Sequence, residues 1–374
     1  MAVMLGHVRG LFFVDFQYLA NKSALLSVLY ALTGFGHQAV IVFFVLSGYF
    51  IGTSVSESIE ARRWSWRIYL VNRITRLELV LLPALILGFV WDQIGMRLPQ
   101  AASFYYGGLY KYYPPSVALR STASAFFGNL FFLQSTVRMW PLGGVASPVF
   151  GSNGPLWSLS YEFWYYILFP ALIIAAASWA GIRARLLYFG LALLLFWFVG
   201  TQISLYFVIW LMGALIGRMP HLDWLRSARA KALASFAAGL PFALALAWIR
   251  IHQQFSERAG DFTIGVCFSL WIYFLIQISR QDVSEIYAHS AKTWAGFSYT
   301  LYLTHFPALL LLRGALDPQG NWQPDLWHLS YGLAIALLML GYAYLVAECT
   351  EARTGSVRRR LLQPWAPLSK EVAR

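Results

Sequence analysis

Long apolar runs recur from one end of the 374-residue chain to the other, and they restrict its possible folds more than any other feature. A helix needs roughly 20 mostly apolar residues to cross the hydrocarbon core of a bilayer. Ten segments qualify as candidate transmembrane helices, near residues 1–19, 34–54, 76–95, 155–178, 186–201, 202–218, 232–249, 262–279, 293–313 and 327–347. The sequence therefore predicts an all-α, polytopic integral membrane bundle of about ten transmembrane helices.

Composition supports this prediction, since 59% of the residues are hydrophobic and only 12% are charged, whereas a soluble domain is about one-quarter charged. The net charge of +12 does not indicate a nucleic-acid-binding protein, because the basic residues lie between apolar segments and form no basic domain. Lysines and arginines in short loops mark the cytoplasmic side of a membrane protein. Their distribution predicts a multi-pass protein in the lipid bilayer with both termini in the cytoplasm.

The apolar stretch at residues 125–137 is too short to be assigned as a span from the sequence. If it crossed, every later loop would change sides and the excess of basic residues on the cytoplasmic side would be lost. We therefore expect residues 1–350 to form the transmembrane domain. Residues 96–154 would form one long external segment, either exposed or re-entrant, and residues 351–374 a basic cytoplasmic tail.

Two histidines lie inside predicted spans, where ionisable groups are costly and are functional candidates by default. His7 lies in the first span, and a neutral imidazole can accept a proton near neutral pH. His305 lies deep in the ninth span and is followed by Pro307, which removes a backbone hydrogen bond and could open room for a ligand. Each histidine could instead be a packing residue that is hydrogen-bonded to a neighbouring helix.

Charged residues at three further places, in the spans or at their edges, are candidates. Arg73 and Arg76 are three residues apart and therefore share a helix face, where they could hold phosphates through bidentate hydrogen bonds or simply anchor the helix. Ser158 and Glu162 share a face of the fourth span, where the carboxylate must be functional or paired with an arginine. Glu348 closes the last span and is either functional or a boundary residue.

Four stretches resemble the membrane-bound acyltransferase 3 family of bacterial O-acyltransferases, in the order of that family. They are VIVFFVLSGYFIG at 40–52, NRITR at 72–76, NGPLWSLSYEFWYYILFP at 153–170 and SYTLYLTHFPALLL at 298–311. The resemblance implies a protein of the bacterial cytoplasmic (inner) membrane. It would transfer an acyl group, mostly acetyl, from cytoplasmic acyl-CoA to a hydroxyl of a carbohydrate or glycan acceptor, with no metal.

The resemblance also implies roles for individual residues. His7 would be the catalytic base or an acyl relay, and Glu162 would orient the acceptor or a catalytic group. Arg73 and Arg76 would bind the phosphates of acetyl-CoA or another acyl-CoA donor. The remaining candidates would contact substrate or position the catalytic groups, and they are Trp157, Ser158, His305 and Glu348.

The first span departs from the pattern of the family, which reads R-G-x-A-A-x-x-V-x-x-x-H. The stretch MAVMLGH matches the end of this pattern with His7 in the place of the histidine, and the arginine would fall before Met1. Either the true start lies upstream of Met1, or, as one alternative, this is an inactive copy that lacks the start of helix 1. Another is a transporter or flippase for a lipid-linked glycan, in which the same polar residues would line a translocation path.

Overall fold

The computed structural model describes residues 1–106, 116–136, 147–223, 225, 227–251, 257–278, 285–316 and 320–363. These residues form α-helices joined by short turns. In chain order the helices are α1 (Ala2–Phe12), α2 (Ala24–Leu32), α3 (Gly36–Glu60), α4 (Trp66–Arg97), α5 (Ala102–Tyr106), α6 (Val117–Arg120), α7 (Ala123–Leu130), α8 (Trp157–Ala176), α9 (Ile182–Ile216), α10 (Ala228–Ile251), α11 (Glu257–Ile276), α12 (Glu285–Ala295), α13 (Ser298–Leu316), α14 (Leu326–Cys349) and α15 (Thr354–Leu362).

Seven helical elements within the described residues are long and apolar enough to cross a membrane. An eighth is formed if α12 and α13, which meet at an angle of 44°, are counted as one broken span. Large apolar side chains cover the outside of these helices, such as Leu187 on α9 and Phe236 on α10, at 70% and 76% exposure. The predicted polytopic helical bundle is therefore confirmed.

Helix α9 covers the predicted span 186–201 and all but the last two residues of the predicted span 202–218, and it is broken at Gly200, where φ is 77° and ψ is 179°. The rings of Phe196 and Phe207, on either side of the break, lie 5.9 Å apart. Eleven residues of straight helix would separate them by about 16 Å along the axis. The chain therefore turns back at Gly200, a residue without a Cβ that tolerates positive φ, and the two arms of α9 run side by side.

The outer ends of both arms lie at the same end of the bundle. The Trp66 indole N–H donates to the Tyr188 hydroxyl at 2.7 Å, and Arg218 forms an ion pair with Glu60. Because Glu60 ends α3 and Trp66 begins α4, these contacts mark the place where α3 meets α4. We call this the basic end of the bundle, after the arginines on its helix ends and connecting turns: Arg62, Arg63, Arg67, Arg183, Arg185 and Arg218.

Helix α1 is shorter than the predicted span at 1–19. It ends at Phe12, and Phe13 is extended, with φ −110° and ψ 152°. The extended backbone pairs with Trp322, whose N–H donates to the Phe12 carbonyl at 2.8 Å and whose carbonyl accepts from the Val14 N–H at 3.1 Å. The eleven helical residues measure roughly 16 Å, which is about half the thickness of the hydrocarbon core.

Side chains cap the N-termini of several helices and satisfy backbone N–H groups that have no partner within the helix. Ser23 caps α2, Ser65 caps α4, and Asp325 caps α14 by accepting from the His328 N–H at 2.9 Å. The same hydrogen bond lowers the pKa of the exposed Asp325 carboxylate. These caps fix where the long helices begin.

Small residues allow α3 and α9 to approach closely. A methyl group added at Gly48 would collide with the carbonyl of Trp210, and one added at Gly213 would collide with the carbonyl of Val45. Small residues at such crossings are typical of helix packing in membranes, where close van der Waals contact replaces the hydrophobic driving force. This crossing holds one half of the bundle together.

The buried apolar residues form two cores that meet at α13. One core joins α3, α4, α8, α9 and α11, and the other joins α1, α13 and α14. Leu303 belongs to the first core and Leu301 to the second. Helix α13 therefore lies between the cores, with α1 on one side and α8 on the other, and it positions the site described below.

The stretch at 125–137 falls on the end of the eight-residue helix α7, which Thr122 caps, and on the turns at 131–136. Residue 137 lies outside the described residues. In the predicted tail, α15 packs against α4. Residues 364–374 of that tail also lie outside the described residues.

Candidate functional site

The two predicted histidines contact each other. His7 Nδ1 lies 2.8 Å from His305 Nε2, and the two rings are stacked with centroids 5.1 Å apart. His305 is fully buried, and its Nδ1 lies 2.7 Å from the Leu301 carbonyl oxygen, four residues earlier on α13. The hydrogen bond between the histidines joins α1 to α13 across 298 residues of sequence.

These distances determine which nitrogens of the neutral pair carry protons. The Leu301 carbonyl can only accept, so His305 Nδ1 must be the donor. A neutral imidazole has one N–H, and His305 Nε2 is therefore the acceptor for the Nδ1–H of His7. His7 Nε2 then carries the free lone pair. The described residues offer this nitrogen no hydrogen-bond partner, which leaves it available to accept a proton.

A cavity of about 230 Å³ lies between α1, α3, α4, α8 and α13. Three of the predicted residues line it, namely Arg76, Ser158 and Glu162, while Arg73, His7 and His305 do not. The other lining residues are mostly apolar or aromatic: Met1, Ala2, Val3, Ala39, Val40, Phe43, Leu77, Leu159, Ser298, Tyr299 and Tyr302. The cavity thus combines an apolar wall with the guanidinium of Arg76 and the carboxylate of Glu162.

Glu162 is 6% exposed and accepts a hydrogen bond from the Tyr166 hydroxyl, one turn later on α8. No lysine or arginine nitrogen of the described residues lies within ion-pair distance of its carboxylate. The positive charges of Arg76 and Arg73 both act on this carboxylate. Glu162 is therefore a buried carboxylate oriented by a tyrosine, and not one half of a direct ion pair.

The two arginines of α4 have different surroundings, although three residues separate them. Arg76 is exposed and lines the cavity. The Arg73 guanidinium lies 5.5 Å from the ring centroids of both Tyr69 and Tyr166. Its Nε is buried and has no hydrogen-bond partner among the described residues. Only Arg76 reaches the cavity, while Arg73 packs behind the Tyr166–Glu162 pair.

Tyr302 connects the cavity to the histidine pair, and it was not among the residues predicted from the sequence. Its hydroxyl lies 2.8 Å from Ser158 Oγ and donates to the Pro155 carbonyl at 2.9 Å. Its ring centroid lies 6.4 Å from that of His305. A tyrosine three residues before a histidine on an apolar helix could have drawn attention, because i and i+3 share a face.

The break between α12 and α13 places the N-terminus of α13 at the cavity, where Ser298 and Tyr299 line the wall. Glu351 caps this N-terminus, since its carboxylate accepts from the Thr300 N–H at 3.0 Å and the Thr300 hydroxyl at 2.9 Å. The predicted Glu348 is exposed instead. Glu351 was missed because its role depends on a contact between helices that are distant in sequence.

Trp157, the first residue of α8, lies away from the cavity lining and stacks on His37 at 6.0 Å. His37 Nε2 lies 2.8–2.9 Å from both oxygens of Asp261, which is 2% exposed and also accepts from the Tyr206 hydroxyl. This cluster joins α3, α9 and α11. It gives Trp157 a packing environment rather than a position in the cavity.

Comparison with known proteins gives a curated relative and a family match. The peptidoglycan O-acetyltransferase OatA of Listeria monocytogenes serovar 1/2a is 24% identical over 347 residues, which cover 84% of this chain and 50% of that protein. The chain thus spans about half the length of this curated relative. No solved structure matches. A family model described as an acyltransferase domain matches residues 1–346, from α1 to the last turns of α14, and the chain therefore belongs to the acyltransferase 3 family.

Proposed function

We propose that the protein is a membrane-embedded O-acyltransferase that moves an acyl group, acetyl in the simplest case, from acyl-CoA to a hydroxyl of a carbohydrate acceptor. The observation that carries the proposal is the hydrogen-bonded pair His7–His305, because its proton arrangement leaves His7 Nε2 as a free base. A sugar hydroxyl is a poor nucleophile until a base removes its proton.

In the proposed reaction, His7 Nε2 accepts the proton of the acceptor hydroxyl while the oxygen attacks the thioester carbonyl carbon. The C–S bond then breaks, and the CoA sulfur leaves with the proton that His7 has taken up. His305 accepts the hydrogen bond from His7 Nδ1 throughout and stabilises the imidazolium form. An acyl-His7 relay is the alternative route, and it differs by forming a covalent intermediate.

The position of the cavity supports this assignment, although His7 is not part of its lining. Val3 lines the cavity and lies four residues before His7, so both share a face of α1. Tyr302 lines the cavity from the opposite side and lies against His305. An acyl group bound between Val3 and Tyr302 would therefore be about one helical turn from His7.

We assign the donor to the wall formed by α3 and α4. The exposed guanidinium of Arg76 can bind a phosphate or the thioester carbonyl, and the apolar wall at Val40, Phe43 and Leu77 suits an acyl chain. Arg73 would act through Tyr166 and Glu162, since its guanidinium packs against the Tyr166 ring. Of the two arginines that were predicted to bind phosphate, we thus propose that Arg76 contacts the donor and that Arg73 is a positioning residue.

We assign the acceptor to the wall formed by α8 and α13, where Glu162, Ser158 and Tyr302 offer hydrogen-bonding groups. A carbohydrate presents many hydroxyls and needs such partners. The relative OatA is named for O-acetylation of peptidoglycan, which supports a glycan acceptor and an acetyl donor. The family membership favours this enzymatic assignment over a transporter or flippase.

We further propose that the protein lies in the bacterial cytoplasmic (inner) membrane with its basic end in the cytoplasm. Arginines concentrate at cytoplasmic helix ends, and those at the turn between α3 and α4 lie on the side from which Arg76 would receive acyl-CoA. Both termini of the chain would then lie on the cytoplasmic side.

The test is release of CoA from acetyl-CoA by detergent-purified protein supplied with soluble peptidoglycan fragments, with mass spectrometry of the fragments. We expect acetylated fragments from the unchanged protein and a loss of roughly 10²-fold or more for His7→Gln, as for other general bases. His289→Gln is the matched control, because His289 is exposed on α12. Wild-type turnover by His7→Gln in a well-folded sample would refute the proposal.

A further inference from the structure

Pro307 leaves a backbone carbonyl of α13 without its normal partner. In an α-helix the carbonyl of residue 303 accepts from the N–H of residue 307, and proline has no N–H. Leu303 lies in the bundle interior with 0% exposure, so water is not a ready substitute. An unpaired buried carbonyl is costly. The helix therefore needs a donor from elsewhere at this position.

Asn153 supplies that donor. Its side-chain Nδ2 lies 2.7 Å from the Leu303 carbonyl oxygen, and the residue is 2% exposed. Only the NH₂ group of the amide can donate to a carbonyl, so the contact also fixes the orientation of the side chain. Asn153 lies immediately before the turn that begins α8, so its amide ties the start of α8 to the middle of α13.

A buried carboxylate holds the residue next to Asn153 in place. Asp92 on α4 is 1% exposed, and its two oxygens accept from the Ser152 N–H at 2.8 Å and the Ser152 hydroxyl at 2.6 Å. Gly151, with φ of 58°, turns the chain toward this contact. Three helices, α4, α8 and α13, are thus joined through two consecutive residues.

The bond made by Asn153 lies within the part of α13 that presents His305. Leu303 is two residues after Leu301, whose carbonyl accepts from His305 Nδ1 and sets the proton arrangement of the pair. A shift of α13 at the proline would change both the Leu301–His305 contact and the 2.8 Å contact to His7. Displacements of about 1 Å can cost roughly 10²-fold in rate.

We propose that Asn153 is a positioning residue, which replaces the hydrogen bond that Pro307 removes from α13 and thereby holds His305 against His7. Its effect on turnover rests on the function proposed above, but its effect on α13 does not. The residue touches no reacting atom in this assignment. It acts through the backbone of α13.

The test is a double-mutant cycle of Asn153→Ala and Pro307→Ala, read as the thermal unfolding temperature of detergent-purified protein. Alanine at 307 restores the N–H that can bond to the Leu303 carbonyl. Asn153→Ala should therefore lower the unfolding temperature clearly in the Pro307 protein and much less in the Pro307→Ala protein. Pro307→Gly restores the same N–H and replaces Pro307→Ala if that variant does not accumulate.

Asn129→Ala is the matched control. Asn129 is also a fully buried amide, and it donates to the carbonyls of Ala125 and Pro148 at 2.8 Å. Its loss should lower the unfolding temperature equally with proline or alanine at position 307. Equal losses for Asn153→Ala in the two backgrounds, or no loss with Pro307 present, would overturn the inference.

Turnover supplies the second readout. Asn153→Ala should lower kcat by roughly 10- to 100-fold with little change in the KM for acetyl-CoA, and Pro307→Ala should recover part of the loss. A change in KM alone would contradict a positioning role. If the unchanged protein transferred no acyl group, the proposed function would fail while coupling in the thermal cycle would still support the bond between Asn153 and Leu303.

Discussion

At the scale of single residues, the hydrogen bond between His7 and His305 explains why two histidines are kept inside an apolar bundle. Neither has a carboxylate partner among the described residues, and the carbonyl of Leu301 takes the place that a carboxylate often holds. A neutral carbonyl fixes the tautomer without adding a charge to the membrane interior. This arrangement suits a base that must work in an apolar environment.

We expect the effect of replacing His305 to depend on whether the new side chain can accept a hydrogen bond. His305→Ala leaves His7 Nδ1–H without an acceptor and should lower kcat strongly, by roughly 10²-fold. His305→Gln offers an amide oxygen to the same N–H and should lower it less. The measurement is CoA release at saturating acetyl-CoA. Equal activity of both variants and the wild type would argue against a positioning role for His305.

The different surroundings of Arg73 and Arg76 predict different kinetic effects. Arg76→Ala removes an exposed cation from the cavity and should raise the KM for acetyl-CoA by roughly tenfold or more, because charged hydrogen bonds contribute about 1.5–3 kcal/mol. Arg73→Ala removes a guanidinium packed between two tyrosine rings and should lower the unfolding temperature more than it raises KM. Arg183→Ala, at an exposed position on α9, is the control. If only Arg73→Ala raised the KM for acetyl-CoA, Arg73 and not Arg76 would be the residue that contacts the donor.

Sequence reasoning located some of these residues and missed others for identifiable physical reasons. His7, Glu162 and Arg76 are ionisable groups in apolar spans, and their cost alone makes them candidates. Tyr302 and Glu351 carry no such signal, because a tyrosine is common in a membrane helix and Glu351 lies beyond the last span. Their contacts to Ser158 and Thr300 exist only once the helices pack.

At the scale of helices, the close crossing of α3 and α9 fixes the half of the bundle that contains α8. Gly48→Ala would place a methyl group against the Trp210 carbonyl, and overpacking of this kind costs about 1–3 kcal/mol. We expect a lower unfolding temperature in detergent. Gly190→Ala is the control, since its added methyl group would meet open space, and it should be neutral or stabilising. Equal effects of the two substitutions would contradict the tight crossing.

The helix boundaries were predictable where hydropathy alone decides them and less so elsewhere. Span 327–347 falls inside α14, and all but the first two residues of span 34–54 fall inside α3, because both are continuous apolar runs. The end of α1 at Phe12 depends on backbone pairing with Trp322, which no local pattern reveals. The ninth span breaks before Ser298, next to the Thr300 N–H that Glu351 caps from a distant part of the sequence.

For the whole molecule, the proposed orientation places the basic end in the cytoplasm, where the donor acyl-CoA would enter. Ala61 is exposed at the basic end of the bundle, and Tyr18 is 67% exposed at the opposite end. In a background without Cys267 and Cys349, a membrane-impermeant maleimide should label Ala61→Cys in inverted vesicles and Tyr18→Cys in right-side-out vesicles. The opposite pattern would place the basic end outside and remove the route for cytoplasmic acyl-CoA.

The proposed transfer requires that the acyl group of the donor lie close to His7, in the cavity between α1, α3, α4, α8 and α13. The most direct test is a cryo-electron microscopy structure of the full chain with a non-hydrolysable acetyl-CoA analogue. We expect density for the acetyl carbon between Val3 and Tyr302, with Arg76 against the donor and His7 Nε2 facing the space for the acceptor hydroxyl. An acetyl group bound away from this cavity, with His7 Nε2 turned toward lipid, would contradict it.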